Sequence, residues 1–157
     1  MYASRSFWQP EGSTCTFCWR GEQPRFIPGL DLIEMDWKLE LVQVPVSDVD
    51  RAKAFYTEKV GFSADHDHRV SEQIRFVQLT PPGSACSIAI GTGLGSMSPG
   101  SLQGLQMVVP DVKAAQAELR ERGVEVGEVQ DFPWGSFVFF SDPDGNGWAV
   151  QQIPARG

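Results

Sequence analysis

The stretch that decides the fold is VPVSDVDRAKAFYTEKVGF, residues 44–62. It continues an alternation in which Val42, Val44 and Val46 interleave with Leu41, Gln43 and Pro45, the period of a strand. Asp48 then stands where a carboxylate accepts hydrogen bonds from the free amides of a first helical turn. Val49, Ala52 and Tyr56 recur at helical spacing, and Gly61 can take the left-handed conformation that ends a helix. The stretch therefore predicts a strand, a capped helix and a stop.

The same pattern returns in MVVPDVKAAQAELRERGVEV, residues 107–126, when Asp111 is laid on Asp48, an offset of 63 residues. Leu105, Met107 and Val109 alternate with Gly104, Gln106 and Val108. Val112, Ala115 and Leu119 mark the helix, and Gly123 ends it. Three strand candidates follow each helix: FSADHDHRV, EQIRFVQLT and ACSIAIG after the first, VEVGEV, SFVFFS and WAVQQI after the second. The turn DPDGN joins the last two, and TGLGSMSPGS between the copies reads as a linker. The predicted fold class is α+β, with two βαβββ modules over 37–91 and 102–154. The period is too long for a solenoid, and two copies suit a paired module.

Residues 1–36 carry scattered aromatics, prolines and glycines without helical or strand period. They read either as an irregular arm or as a misassigned start, since Met35 immediately precedes the regular patterning. Cys15 and Cys18 form CTFC there, but a zinc site needs two further ligands and a redox motif needs a flanking strand and helix. Cys86 makes the thiol count odd, which points to reduced cysteines. The formal net charge of -7 argues against a nucleic-acid partner. No apolar run reaches the roughly 20 residues a membrane span needs, and no secretory signal opens the chain, so a cytoplasmic location is expected.

The opening VQVPVSDVDRAKAFY, the linker and the ending FSDPDGNGWAV together resemble the vicinal oxygen chelate superfamily, over roughly residues 38–153. That group includes glyoxalase I, bleomycin-resistance proteins, fosfomycin-resistance enzymes and extradiol dioxygenases. The resemblance implies paired modules around an open cavity. In the enzymes of the group it also implies a divalent metal acting as a Lewis acid on vicinal substrate oxygens. Carried onto this chain, the ligand positions fall on Leu41, Ala89, Gly104 and Ala149, none of which can bind a metal. A two-residue slide keeps the face and brings up Gln43, Gln106 and Gln151.

Three amides suit a neutral polar ligand better than zinc or iron. They either converge on the cavity or lie at exposed strand ends. Arg75, alternating with apolar neighbours, either meets an anionic or carbonyl group of a ligand or pairs with a helix carboxylate such as Glu58. Trp134, beside Pro133 and Gly135, and Phe137 are candidate walls for a flat organic molecule, while Trp148 reads as core. His66 and His68 share one strand face, where they either lie on a solvated edge or hold a metal with an acid.

The expected function is cofactor-free binding of a small organic ligand in a cavity between the modules, in a protein able to form a homodimer. Sequestration of an antibiotic is one use of such binding. The alternative is a metal-dependent lyase or dioxygenase of the same superfamily, and whether the chain is an enzyme is open at this point.

Overall fold

The computed structural model describes residues 37–154, within a compact unit that begins at Trp37. Residues 1–36, including Cys15 and Cys18, lie outside the described residues. In chain order the elements are β1 (Leu41–Gln43), α1 (Val49–Ala54), β2 (Ser63–Arg69), β3 (Arg75–Thr80) and β4 (Ser87–Thr92). They are followed by β5 (Leu105–Val108), α2 (Val112–Glu121), β6 (Gln130–Phe132), β7 (Gly135–Ser141) and β8 (Gly147–Gln152). These form two four-stranded mixed sheets of identical topology, β1-β4-β3-β2 and β5-β8-β7-β6. In each, the first strand runs parallel to the last and the other pairings are antiparallel. Two βαβββ modules are thus present, as the repeat predicts.

Both helices start on the expected aspartates. Asp48 accepts from the Arg51 amide (3.0 Å), and Asp111 from the amides of Lys113 (2.9 Å) and Ala114 (3.0 Å). The first helix does not stay α-helical to its end. It widens into a π-helical turn over Phe55–Val60, closed by Gly61 at φ 91°. The widening lets two adjacent rings reach the core. Tyr56 packs on Phe62 and Trp148, while Phe55 packs on Phe140.

The stretch VEVGEV is not the strand its alternation suggests. Only Val126 bridges to Phe140, and β6 begins at Gln130. Side chains of α2 occupy the carbonyls a ladder would use. Gln116 Nε2 donates to Gly127 O (2.6 Å) and Arg120 Nη2 to Val126 O (3.2 Å).

Each sheet has a face packed on its helix and an opposite, open face. The helix faces carry Val44, Val77, Leu79, Ile88 and Ile90 in the first sheet, and Val138, Phe140, Trp148 and Val150 in the second. With Val49, Ala52, Tyr56, Val112 and Leu119 from the helices they form one shared core. The modules therefore meet through their helix-side surfaces, and both open faces lie on the far side of their sheets from that core.

DPDGN is the polar centre of this junction. Asp142 Oδ1 accepts from the amides of Asp144 and Asn146 (both 2.9 Å), which folds the turn on itself. Its Oδ2 accepts from Tyr56 Oη (2.9 Å) and Asn146 Nδ2 (2.7 Å), and Trp148 Nε1 donates to the same Tyr56 oxygen (3.1 Å). Asn146 Nδ2 also donates to Pro45 O (2.9 Å), 101 residues away. All four side chains are buried. The turn expected to join the last two strands also fastens the second module to the first. Burial, and then the Asp142 carboxylate, push the Tyr56 phenol well above its usual pKa.

Candidate functional site

The open face of the second sheet follows from strand register. Gln106 stands opposite Ala149, Phe137 opposite Gln151 and Phe139 opposite Ala149, while Gln130 and Phe132 face Phe137 and Gly135. Period two puts these side chains on one surface, opposite the buried Val138, Phe140, Trp148 and Val150. The result is an aromatic plate. Phe132 stacks on Trp134 (5.3 Å, 13°), meets Phe137 edge-on (5.6 Å, 78°), and Phe137 stacks with Phe139 (6.1 Å, 7°). Phe137 is 6% exposed, whereas Phe132, Phe139 and Trp134 are 39%, 42% and 62% exposed. One ring anchors the plate and three are left open to solvent.

Two of the three predicted amides sit beside it. Gln106 Nε2 donates to Gln151 Oε1 (2.5 Å), and Gln151 Nε2 donates to Trp134 O (2.9 Å). This chain of amides ties β5 through β8 to the turn that carries Trp134. Gly135 makes the last contact possible. It has φ 144°, and a Cβ there would stand 2.9 Å from Gln151 Nε2 and 2.5 Å from Gln152 O. Gln106 is exposed, and its Oε1 is left without a hydrogen bond among the described residues.

Gln43 does not join them. It lies on β1 of the other sheet, opposite Ala89 and against Gly95, because the helix-side packing of the modules separates the two open faces. Arg75 likewise does not reach a pocket. Its guanidinium is on the helix side of β3, where it binds Asp67 through Nε and Nη2 (both 2.9 Å) and Asp50 through Nη1 (2.8 Å). The ion pair with a helix carboxylate is realised, with Asp50 in place of Glu58. Arg75, and then Lys53, hold the Asp67 carboxyl far below the usual carboxylate range.

The sequence reading passed over Phe132 and Phe139. Phe139 repeats Phe137 at period two, which was the available signal. Phe132 lies just ahead of Pro133, where no period is readable.

A cavity of about 560 Å³ adjoins the plate, with Phe139, Ala149, Gly104, Gln103 and Glu125 in its wall. That size is typical of small-molecule sites. None of the six predicted ligand-binding residues lines it. A larger groove of about 730 Å³ runs between the modules on the helix side, mostly apolar, with Val42, Phe62, Ile88, Leu105 and Met107 in its wall. Of the six, only Gln106 reaches that groove.

The donor set does not fit the family's metal. Leu41 and Ala89 lie on the first sheet, Gly104 and Ala149 at the second, and none offers a lone pair from its side chain. Among the described residues no three His, Cys, Asp or Glu side chains gather closely enough to hold an ion. No helix among them is long and apolar enough to cross a membrane.

Comparison with known proteins agrees with the fold. The model of the Glyoxalase/Bleomycin resistance protein/Dioxygenase superfamily matches residues 38–150. TnmS3, an antibiotic binding protein from Streptomyces sp. CB03234, is 40% identical, covering 76% of this chain and 98% of its own, with a TM-score of 0.70. A glyoxalase/bleomycin resistance protein from the same strain is 42% identical, covering 73% and 100%, with a TM-score of 0.66. YetH of Bacillus subtilis (strain 168), an uncharacterized protein, is 33% identical over 115 residues, 71% of this chain and 94% of that protein.

Proposed function

The chain belongs to the Glyoxalase/Bleomycin resistance protein/Dioxygenase superfamily, and from that premise we propose that it binds a flat aromatic small molecule, without a metal, on the open face of its second sheet. The observation that carries this reading is the plate of Phe132, Trp134, Phe137 and Phe139, three of whose rings are exposed beside the hydrogen-bonded Gln106–Gln151 pair. A planar ring laid on it would bury apolar area and stack, each aromatic contact adding roughly 1 kcal/mol beyond burial. Gln106 Oε1 would accept from a hydroxyl or amide of the ligand and fix its orientation. Binding of this kind supports sequestration, and it accords with the antibiotic binding stated for TnmS3.

The chain's own groups perform no bond-making step in this reading. They stack, orient and exclude water. Val108 and Leu41 are exposed apolar residues on the two open faces, and a second copy of the chain covering them is the expected homodimer.

Thermal unfolding of the full chain with a panel of planar aromatic antibiotics, in excess EDTA, tests the proposal. A ligand at 100 times its dissociation constant stabilises the fold by about 2.7 kcal/mol. Stabilisation that disappears on chelation would count against the metal-free reading, and no shift from any planar compound would count against the aromatic plate.

A further inference from the structure

Strand β2 is the outer strand of the first sheet and all seven of its residues are exposed. Its pairing with β3 slips by one residue: Ala64 stands opposite Leu79, but His66 stands opposite Gln78, leaving Asp65 as the extra residue of a β-bulge. The slip decides which face every later side chain takes. In an unbroken register His66 would oppose Val77 and His68 would oppose Arg75, both on the helix side, and Asp67 would turn to the open face. With the bulge, Asp67 turns inward to Arg75 and Lys53, while His66 and His68 stand on the open face opposite Gln78 and Phe76.

The two imidazoles lie 5.6 Å apart between ring centroids, with 25° between their planes. Neither ring makes a hydrogen bond or ion pair with any described residue. The neighbouring polar groups are already engaged. Asp65 accepts from Thr80 Oγ1, which also pairs with Ser87 Oγ (2.6 Å), and Gln78 Nε2 donates to Ser87 Oγ (3.1 Å). A one-residue insertion thus presents two unengaged imidazoles side by side, backed by a fixed polar row.

We propose that His66 and His68 form a divalent transition-metal site, each giving one ring nitrogen, with the remaining coordination positions left to water or to an oxygen-donor ligand. Imidazole suits nickel, copper and zinc, at metal–nitrogen distances of about 2.0–2.1 Å for zinc. Both side chains are on an exposed strand, so turning each ring about its own axis brings the lone pairs together without moving backbone. The site lies on β2, apart from Leu41 on β1 and Ala89 on β4, and it stands independently of ligand binding on the second sheet.

Isothermal titration of the full chain with Ni²⁺ tests it, in a C15S/C18S/C86S background that removes competing thiols. One equivalent should bind, and H66Q or H68Q should each weaken it at least about tenfold. Stoichiometric binding unchanged in the H66Q/H68Q double variant would overturn the assignment, as would no stoichiometric binding to the parent protein.

Discussion

Tyr56→Phe removes a single oxygen from the fully buried junction between the modules. The Asp142 carboxylate loses a 2.9 Å hydrogen bond, keeping those from the amides of Asp144 and Asn146 and from Asn146 Nδ2, and Trp148 Nε1 loses its acceptor. A hydrogen bond to a charged group contributes about 1.5–3 kcal/mol, and a buried donor left unpaired costs about 1–3 kcal/mol. The variant should therefore lose about 3 kcal/mol, measured by urea unfolding at pH 7, with an unchanged m-value.

A pH sweep sharpens the test. The folded phenol resists ionisation while the unfolded one titrates near its ordinary pKa of about 10. Below that pH both states hold the proton, so the contribution is fully present. Above it the unfolded state releases the proton and the folded state does not. Wild-type stability should then fall by about 1.4 kcal/mol more per pH unit than that of the variant. A loss under about 1 kcal/mol at pH 7, or identical alkaline limbs, would refute the account of this junction.

Three other outcomes are expected. Arg75→Gln should cost about 1–2 kcal/mol in urea unfolding while leaving the affinity for any planar ligand unchanged, because the guanidinium serves Asp67 and Asp50 on the helix side. Asp67→Asn should flatten the acid limb of the stability curve. The depressed carboxyl contributes stability that is present above about pH 4 and lost as pH falls further, so wild type and variant should converge at low pH. Gly135→Ala should destabilise by about 1–3 kcal/mol and weaken ligand binding together, since a Cβ at φ 144° strikes Gln152 O and displaces the Gln151 amide; heteronuclear NMR of the glutamine side-chain amides would register the displacement.

What the sequence made legible was local. The capping aspartates, the glycine stops, the repeated strand-helix opening and the DPDGN turn each depend on neighbours within a few residues, and each is present in the structure. What it hid depends on partners far along the chain. No local pattern tells Asn146 that it will meet Pro45 O, or tells Gln43 that module packing separates it from Gln106 and Gln151. Arg75 read as a buried cation in need of a partner; it is part-buried and has two. The identity of that partner turns on a bulge at Asp65 that alternation alone does not reveal. The late start of β6 has the same origin, since Gln116 and Arg120 reach from α2 to carbonyls a strand would have used.

The central claim is that the aromatic plate binds a flat ligand without a metal. It is tested most directly by calorimetric titration of the best-stabilising planar antibiotic, in EDTA, into wild type and into Trp134→Ala/Phe139→Ala, whose exposed rings leave the core intact. Loss of two stacking contacts of roughly 1–1.5 kcal/mol each predicts a dissociation constant weaker by about 30- to 150-fold. Equal affinity in the two proteins, or wild-type binding that requires added metal, would contradict it.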